Sequence, residues 1–570
     1  MFHLITKKDK MKQVNKILTI FLNTIFATAI LTGCSKDLGN YDYQDINTLK
    51  ISTDMTSVDP NIFVTADSIN LTQNDSLKVK LKIEQSLGSA ENFKYQWILT
   101  QADATGANPV KHIIDSTAAL ATKISLTPNL YRLVAMVTDK NTGVSYYKKF
   151  ALNVNAAPWG NEGWLILQAQ PDGSDISVIT SRDGASHGKV YPDVYSIMND
   201  HKLPKGTNKV NIVNYTASLR AQKISFFYPN GGMQVRSIDY ADSLNAENWF
   251  ATPVPINFQS NSSALGQWEY LINNGQLSFR SVNVSSLKTP PINFQPPFLG
   301  TYTLSPFVLS APADAYVLCY DNANRCFVQF NVSTGALYPV TSDIVKGHFP
   351  LTTATTADLD PTTGKGFDLN NKTGLLQNLV YAENAQPLTT ANPFWYCFFR
   401  NDAGDVTYLV QVQHKTTAAD NKFTTGRYLL NQATCPGINS ATMFACPTHL
   451  AMTSGAFYYV NGSNIYTCKP RYAPGTTTAA VGLSFPAGTI IKAMKTFNSG
   501  YLAANIPSAT EGKVLVVATD ETASGGGNKV YFFNLNATTG DIMGTPTSPA
   551  DVYTGFDKIT DIAFKKALGK

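Results

Sequence analysis

Trp268-Glu269-Tyr270-Leu271-Ile272-Asn273-Asn274-Gly275-Gln276-Leu277-Ser278-Phe279-Arg280-Ser281-Val282 carries the plainest fold signal in the chain. Two runs of apolar and aromatic residues flank Asn274-Gly275, and Asn-Gly supplies the two positive φ angles of a type I′ turn. The stretch predicts a tight antiparallel hairpin. Working outward, six further stretches repeat the arrangement. Residues 163–167 face 175–179 across Pro171-Asp172-Gly173, and 223–228 face 233–238 across Pro229-Asn230-Gly231-Gly232. Residues 315–320 face 326–331, which continues through Ser333-Thr334-Gly335 to Leu337. Residues 394–400 face 406–412 across Asn401-Asp402-Ala403-Gly404. Residues 457–460 face 463–468 across Asn461-Gly462, and 513–519 face 529–535 across a Gly-rich loop.

Seven hairpin modules, most of them roughly 45–60 residues apart, are what a β-propeller with long loops produces. A strand followed by an Asn-x-x-Thr-Gly turn recurs at 331–335 and 536–540, with no WD or kelch signature beside it. Residues 160–570 are therefore expected to form a propeller of about seven blades, a run of sandwich domains being the competing arrangement. Composition agrees with an all-β chain. Charged residues are only 15% and aromatics 11% of 570 residues, so the strand faces are neutral-polar or aromatic rather than ionic. The formal charge of +5 comes mainly from the N-terminal leader; without Lys7, Lys8, Lys10, Lys12, Lys16 and Asp9 it falls to +1. A body so nearly neutral offers no electrostatic footprint for nucleic acid.

Residues 49–156 read as a separate sandwich. Ser76-Leu77-Lys78-Val79-Lys80-Leu81-Lys82-Ile83 alternates polar and apolar with period two, and 93–99 places Phe93, Tyr95 and Trp97 on one face. Residues 131–137 run through Thr138-Asp139-Lys140-Asn141-Thr142-Gly143 into a partner strand at 146–154. Short strands at this density suit an immunoglobulin-like sandwich with Trp97 in its core. Tyr95-x-Trp97, Leu130-Tyr131-x-Leu133-Val134-x-x-Val137-Thr138-Asp139 and the Gly143 turn resemble a PKD or PKD-like domain. Ile98-Leu99-Thr100-Gln101 stands where that family usually has Phe-Gly-Asp-Gly, which marks a divergent PKD-like member.

The leader has its own chemistry. Five lysines precede an apolar run from Ile17 to Ile30, which is too short to span a membrane comfortably and reads as an export signal. It ends in Leu31-Thr32-Gly33-Cys34, which resembles the bacterial lipobox. That resemblance implies a signal over 1–33, acylation of Cys34, and a lipidated tether over 34–48. Translation starts at Met1 or Met11. Ser35 after the cysteine favours the outer membrane, and Lys36-Asp37 loosely resembles a surface-export tag. Six cysteines remain: Cys319, Cys326, Cys397, Cys435, Cys446 and Cys468. Export permits disulfides, and Cys319–Cys326 about the Asn322-Ala323 centre and Cys435–Cys446 about a short loop are the candidate pairs; buried free thiols are the alternative.

No reactive constellation emerges. Gly184-Ala185-Ser186-His187-Gly188 matches Gly-x-Ser-x-Gly but lacks the buried strand and following helix of a nucleophile elbow. Gly525-Gly526-Gly527 lacks a strand–helix phosphate context. Asp358, Asp360 and Asp368 lack the closing glutamate of a calcium loop, and the histidines beyond the leader (112, 187, 201, 348, 414, 449) are scattered singly. No catalytic residue, metal ligand or cofactor is expected. Trp159, Trp249, Trp268 and Trp395 are sugar-stacking candidates by type alone, and none is assigned a ligand.

Cys34-Ser35-Lys36-Asp37, the Tyr95-x-Trp97 sandwich, Gly163-Trp164-Leu165-Ile166-Leu167 and Gly555-Phe556-Asp557-Lys558-Ile559 together resemble PKD-like family lipoproteins of starch-utilisation-type nutrient loci. The resemblance implies a surface-exposed outer-membrane lipoprotein, held by membrane lipid through Cys34. Its expected role is non-catalytic binding of a glycan or peptide nutrient beside a TonB-dependent transporter and a substrate-binding lipoprotein. A structural subunit of such a transporter complex and a propeller hydrolase or lyase are the alternatives.

Overall fold

The computed structural model describes residues 14–20, 22, 46–54, 62–87, 92–101, 111–160, 162–181, 187–214, 222–264, 268–281, 293–298, 300–310, 316–331, 336–337, 378–384, 394–413, 424–447, 456–470, 477–498 and 510–566. The chain is nearly all β, and its strands fall into two groups.

The first group is the sandwich. A three-stranded sheet (Leu49–Asp54, Ser76–Gln85, Ala119–Lys123) packs on a six-stranded sheet. The order of the larger sheet is Phe63–Val64, Ser68–Thr72, Ser145–Asn155, Asn129–Asp139, Phe93–Gln101, His112–Asp115. All its pairings are antiparallel except Ser68–Thr72 with Ser145–Asn155. The period-two pattern is realised directly, with Leu77, Val79 and Leu81 pointing into the core and the intervening lysines outward. Trp97 is fully buried, stacks on Phe150 at 6.3 Å, and satisfies its Nε1–H on Thr117 O at 3.0 Å.

The second group comprises seven antiparallel sheets among the described residues. Sheet 1 holds His187–Tyr191, Gly173–Ser181 and Gly163–Gln170, and its fourth strand is Lys558–Lys565 from the far end of the sequence. Sheet 2 runs Lys209–Asn214, Gln222–Tyr228, Gly231–Arg236, Asp242–Asn245. Sheet 3 is Phe258–Ala264, Trp268–Asn273, Gln276–Ser281, and sheet 4 is Tyr316–Asp321, Cys326–Asn331, Ala336–Leu337. Sheet 5 is Asn378–Asn384, Phe394–Arg400, Thr407–Gln413, Thr424–Leu430. Sheet 6 is Phe444–Ala445, Phe457–Asn461, Asn464–Lys469, Thr478–Ser484. Sheet 7 is Ile490–Thr496, Val514–Asp520, Asn528–Leu535, Ile542–Met543, with Asp551–Phe556 also on its third strand. Each predicted hairpin is a bonded strand pair of one sheet, the central pair in sheets 1, 2, 5, 6 and 7.

Apolar clusters join the sheets face to face. Leu165, Val178, Ile224 and Phe226 join sheets 1 and 2; Phe227, Trp249, Phe258 and Leu271 join 2 and 3; Tyr270, Ile272, Val317 and Cys319 join 3 and 4. Tyr320, Phe327, Cys397 and Phe399 join 4 and 5; Phe398, Leu409, Phe444 and Phe457 join 5 and 6; Tyr458, Ile465, Leu515 and Val517 join 6 and 7. Trp164, Ile166, Val516, Phe532 and Phe564 return from sheet 7 to sheet 1. Because each sheet is covered on both faces, Trp268–Asn273 is buried from its second residue onward.

The sandwich docks on one end of the sheet 2 strands. Gln73 Nε2 donates to Asp239 Oδ2 at 3.0 Å, and Arg236, paired with Asp239, donates to Thr127 Oγ1 at 2.8 Å. Lys123 reaches Ile197 O and Asp200 from the same side. Glu162 and Lys566 pair at 3.1 Å beside it, and Lys565, over the Tyr240 ring, donates to Gly160 O. Burial pushes the Lys565 ammonium down to about 7, against the pull of Asp239 and Glu162.

Two expectations need correction or placement. Cys319 pairs with Val328 and Cys326 with Asp321, so the hairpin is centred one residue beyond Asn322-Ala323 and the two cysteines are diagonal rather than opposite. Cys34 lies outside the described residues, as do residues 182–186, Asp358, Asp360, Asp368, His348, His414, His449 and the side chain of Cys326. No helix among the described residues is long and apolar enough to cross a membrane.

Candidate functional site

The end of sheets 2 and 3 away from the sandwich is a groove. In sheet 2, Asn230 takes φ 60° at the turn between Gln222–Tyr228 and Gly231–Arg236. Gly231 lies so close under the Tyr228 ring that any side chain there would strike it, and Tyr228 OH donates to Gly232 O at 3.2 Å. The ring is thereby fixed over the turn. In sheet 3, Asn274 and Gly275 have φ 52° and 71°, the type I′ pattern expected of Asn-Gly.

The crossing segment between the two sheets is tied to that turn. Asn273 and Asn274 donate their amides to Pro255 O at 2.9 and 2.8 Å, while Asn273 Oδ1 accepts from Asn257 N at 2.7 Å. Between these walls lies a cleft of about 740 Å³. Its polar lining is Asn208, Asn230, Asn257 and Asn274, all exposed, and its apolar lining includes Tyr228, Pro229, Pro255 and Ile256. Among the described residues, no aspartate, glutamate, lysine, arginine or histidine lines it.

A second cleft of about 320 Å³ shares Tyr228, Asn230 and Ile256 with the first, and this one is charged. His201 Nε2 lies 2.9 Å from Asp242 Oδ2, and Tyr195 OH donates to Asp242 Oδ1 at 2.6 Å. Burial, then the Asp242 carboxylate, pushes the Tyr195 phenol far above its usual range, so it remains a donor. Lys202 is held by Asp172 at 2.5 Å. His201 and Lys202 are thus matched by Asp242 and Asp172, while Glu247, exposed, also lines this second cleft.

A different set of polar groups links the edge strands of neighbouring sheets. Asp561 accepts from Val210 N at 3.0 Å and pairs with Lys495 at 3.2 Å, linking sheets 1, 2 and 7. Glu383 Oε2 accepts from Tyr381 OH and Cys446 N, each at 2.8 Å. Burial pushes the Glu383 carboxyl up to about 7 despite those bonds and the pull of Lys495. A raised carboxyl stabilises the fold fully below its unfolded value near 4.5 and loses that contribution as pH rises through about 7. Glu383→Gln is therefore expected to match the parent chain below pH 4.5. It should gain on the parent by about 1.4 kcal/mol per pH unit across the window, levelling off above pH 7. Denaturant titrations at pH 4.5, 6 and 8 check this, and a constant difference would refute it.

The tryptophans singled out by type are packing residues. Trp249 is fully buried and stacked on Phe258 at 4.6 Å, Trp395 is 8% exposed, and Trp268 packs on Phe279 at 5.5 Å. Trp159 lies against Tyr191 at 5.6 Å. In the sequence, Tyr228, Asn230 and Asn274 read only as strand and turn residues. Their recurrence in neighbouring hairpin turns was the available signal. Among the described residues no group of His, Cys, Asp and Glu is arranged to hold a metal.

The model of the PKD-like family matches residues 34–206, which include the sandwich and the first strands of sheet 1. The N-terminal part of the chain is accordingly PKD-like. No curated protein gives a match. Among solved structures, a quinonprotein alcohol dehydrogenase-like protein from Bacteroides thetaiotaomicron aligns with 86% of this chain and 96% of its own, at 13% identity and TM-score 0.41. The dihydro-heme d1 dehydrogenase NirN aligns with 74% of this chain and 72% of its own, at 10% identity and TM-score 0.37. AztD from Citrobacter koseri aligns with 59% and 95%, at 9% identity and TM-score 0.27.

Proposed function

We propose that the protein is a lipid-anchored outer-membrane lipoprotein, facing the cell exterior, that captures a neutral glycan without transforming it. The carrying observation is the cleft of about 740 Å³, lined by four exposed asparagines, a fixed tyrosine and proline edges, with no charged side chain among the described residues. Amide groups both donate and accept, as sugar hydroxyls require, and a rigid ring offers a face for the apolar C–H side of a pyranose. An ionic ligand would leave its charge unmatched there.

On this reading the seven sheets are the blades of one propeller. The cyclic series of apolar clusters and the sharing of sheet 1 between the two ends of the chain support it. The sandwich is then a spacer on the opposite face, and the Leu31-Thr32-Gly33-Cys34 motif supports the anchor. A TonB-dependent transporter and a substrate-binding lipoprotein are the proposed neighbours.

Affinity electrophoresis of the detergent-solubilised full chain through gels containing neutral polysaccharides tests the reading. Retardation by at least one neutral polysaccharide is expected, with Tyr228→Ala weakening it at least tenfold and an acidic polysaccharide giving none. Free migration through every neutral polysaccharide would reject glycan capture and favour a structural subunit that binds protein alone.

A further inference from the structure

Cys435 lies in the segment that crosses from the last strand of sheet 5 to the first strand of sheet 6, and Cys468 lies on the third strand of sheet 6. Their sulfurs are 3.9 Å apart, and both side chains are fully buried in the cluster between those sheets. The backbones on either side are fixed. Ala479 N donates to Thr434 O at 2.9 Å, and Tyr459 OH donates to Pro436 O at 3.0 Å. Contact with Cys468 holds the Cys435 thiol below its ordinary value in the folded chain. Cys446 is engaged elsewhere: it packs beside Glu383, whose carboxylate accepts its backbone N–H.

We propose that Cys435 and Cys468 form a disulfide that staples the sheet 5–sheet 6 crossing to sheet 6. A disulfide needs its sulfurs about 2.05 Å apart, so side-chain rotation must bring them roughly 2 Å closer. The oxidant is a donor disulfide, met while sheet 6 assembles and the thiols are still accessible. One thiolate attacks the donor, releasing one donor thiolate and leaving a mixed disulfide. The second cysteine attacks the sulfur of the first, releasing the other donor thiol. Two protein thiols are oxidised and one donor disulfide becomes two thiols.

The staple is independent of what the groove binds and of whether the chain is exported, so the test uses the full chain from cell-free translation, with or without oxidised glutathione. The product is alkylated with iodoacetamide in denaturant and digested with pepsin at acid pH, where disulfides do not exchange. With oxidised glutathione, the expected result is a linked peptide pair containing Cys435 and Cys468, with Cys319, Cys397 and Cys446 alkylated. Without it, all five should carry the adduct. Full alkylation of Cys435 and Cys468 in the oxidising reaction, or a link from Cys435 to any other cysteine, would overturn the proposal. The parent chain is read throughout, so misfolding of a variant does not enter.

Discussion

A chain ending at Asp557 is expected to lose the fold of all seven sheets while keeping the sandwich. The deleted strand, Lys558–Lys565, pairs with Gly163–Gln170 along its length, with Trp164 opposite Phe564 and Leu167 opposite Asp561. It buries Ile559, Ile562 and Phe564, and Phe564 lies 5.3 Å from the Trp164 ring and 4.6 Å from Phe497. Each such side chain contributes about 1.5–3 kcal/mol. The three together approach the whole stability of an ordinary domain, about 5–15 kcal/mol. Truncation also exposes the unpaired edge of an apolar strand, which templates aggregation. It further removes Asp561, the partner of Lys495 and Val210 N. Limited proteolysis should leave one resistant fragment covering residues 49–156, and size-exclusion chromatography should show aggregate. A truncated chain with an unchanged melting profile would mean that the sheets are held pairwise rather than by closure.

How far the sequence carries depends on whether a feature is local. Each hairpin is written in a few consecutive residues, as with Asn274-Gly275, whose φ angles are those its turn type demands. The sandwich core around Trp97 is equally legible, because alternation along one strand decides which side faces in. Closure is not local. Nothing in Lys558-Ile559-Thr560-Asp561-Ile562-Ala563-Phe564-Lys565 names Gly163–Gln170 as its partner, since any apolar strand could occupy that edge. Cysteine proximity fails for the same reason, because Cys435 meets Cys468 through stacking around the crossing segment rather than through the short loop to Cys446. The groove is illegible in another way. Asn208, Asn230, Asn257 and Asn274 come from four connections, and the same residue type that makes a turn also lines a cleft.

Glu269→Ala is expected to cost about 3–5 kcal/mol. Glu269 and Arg280 stand opposite each other in sheet 3, and neither side chain reaches solvent. The Glu269 carboxylate accepts Arg280 Nε at 2.8 Å and NH2 at 2.5 Å on one oxygen, and Gln234 and Asn261 at 2.9 and 3.0 Å on the other. Burial alone would raise its carboxyl, but Arg280 and Lys223 outweigh that and hold it below its ordinary range. The guanidinium also lies 4.4 Å over the Phe294 ring. Removing the carboxylate leaves that cation buried and unpaired, which costs far more than the pair contributes when intact. Glu269→Leu with Arg280→Met should therefore recover most of the loss, whereas either change alone should not. Denaturant midpoints of the two singles and the double decide it, and singles within about 1 kcal/mol of the parent would contradict the argument. The network joins sheet 2 (Gln234, Ser225) to sheet 3 (Asn261, Glu269, Arg280), the two sheets whose turns form the groove. The single variant should accordingly lose polysaccharide retardation at temperatures where the double retains it, with Tyr228 intact in both. That separates a groove weakened through its support from one that has lost its own contacts.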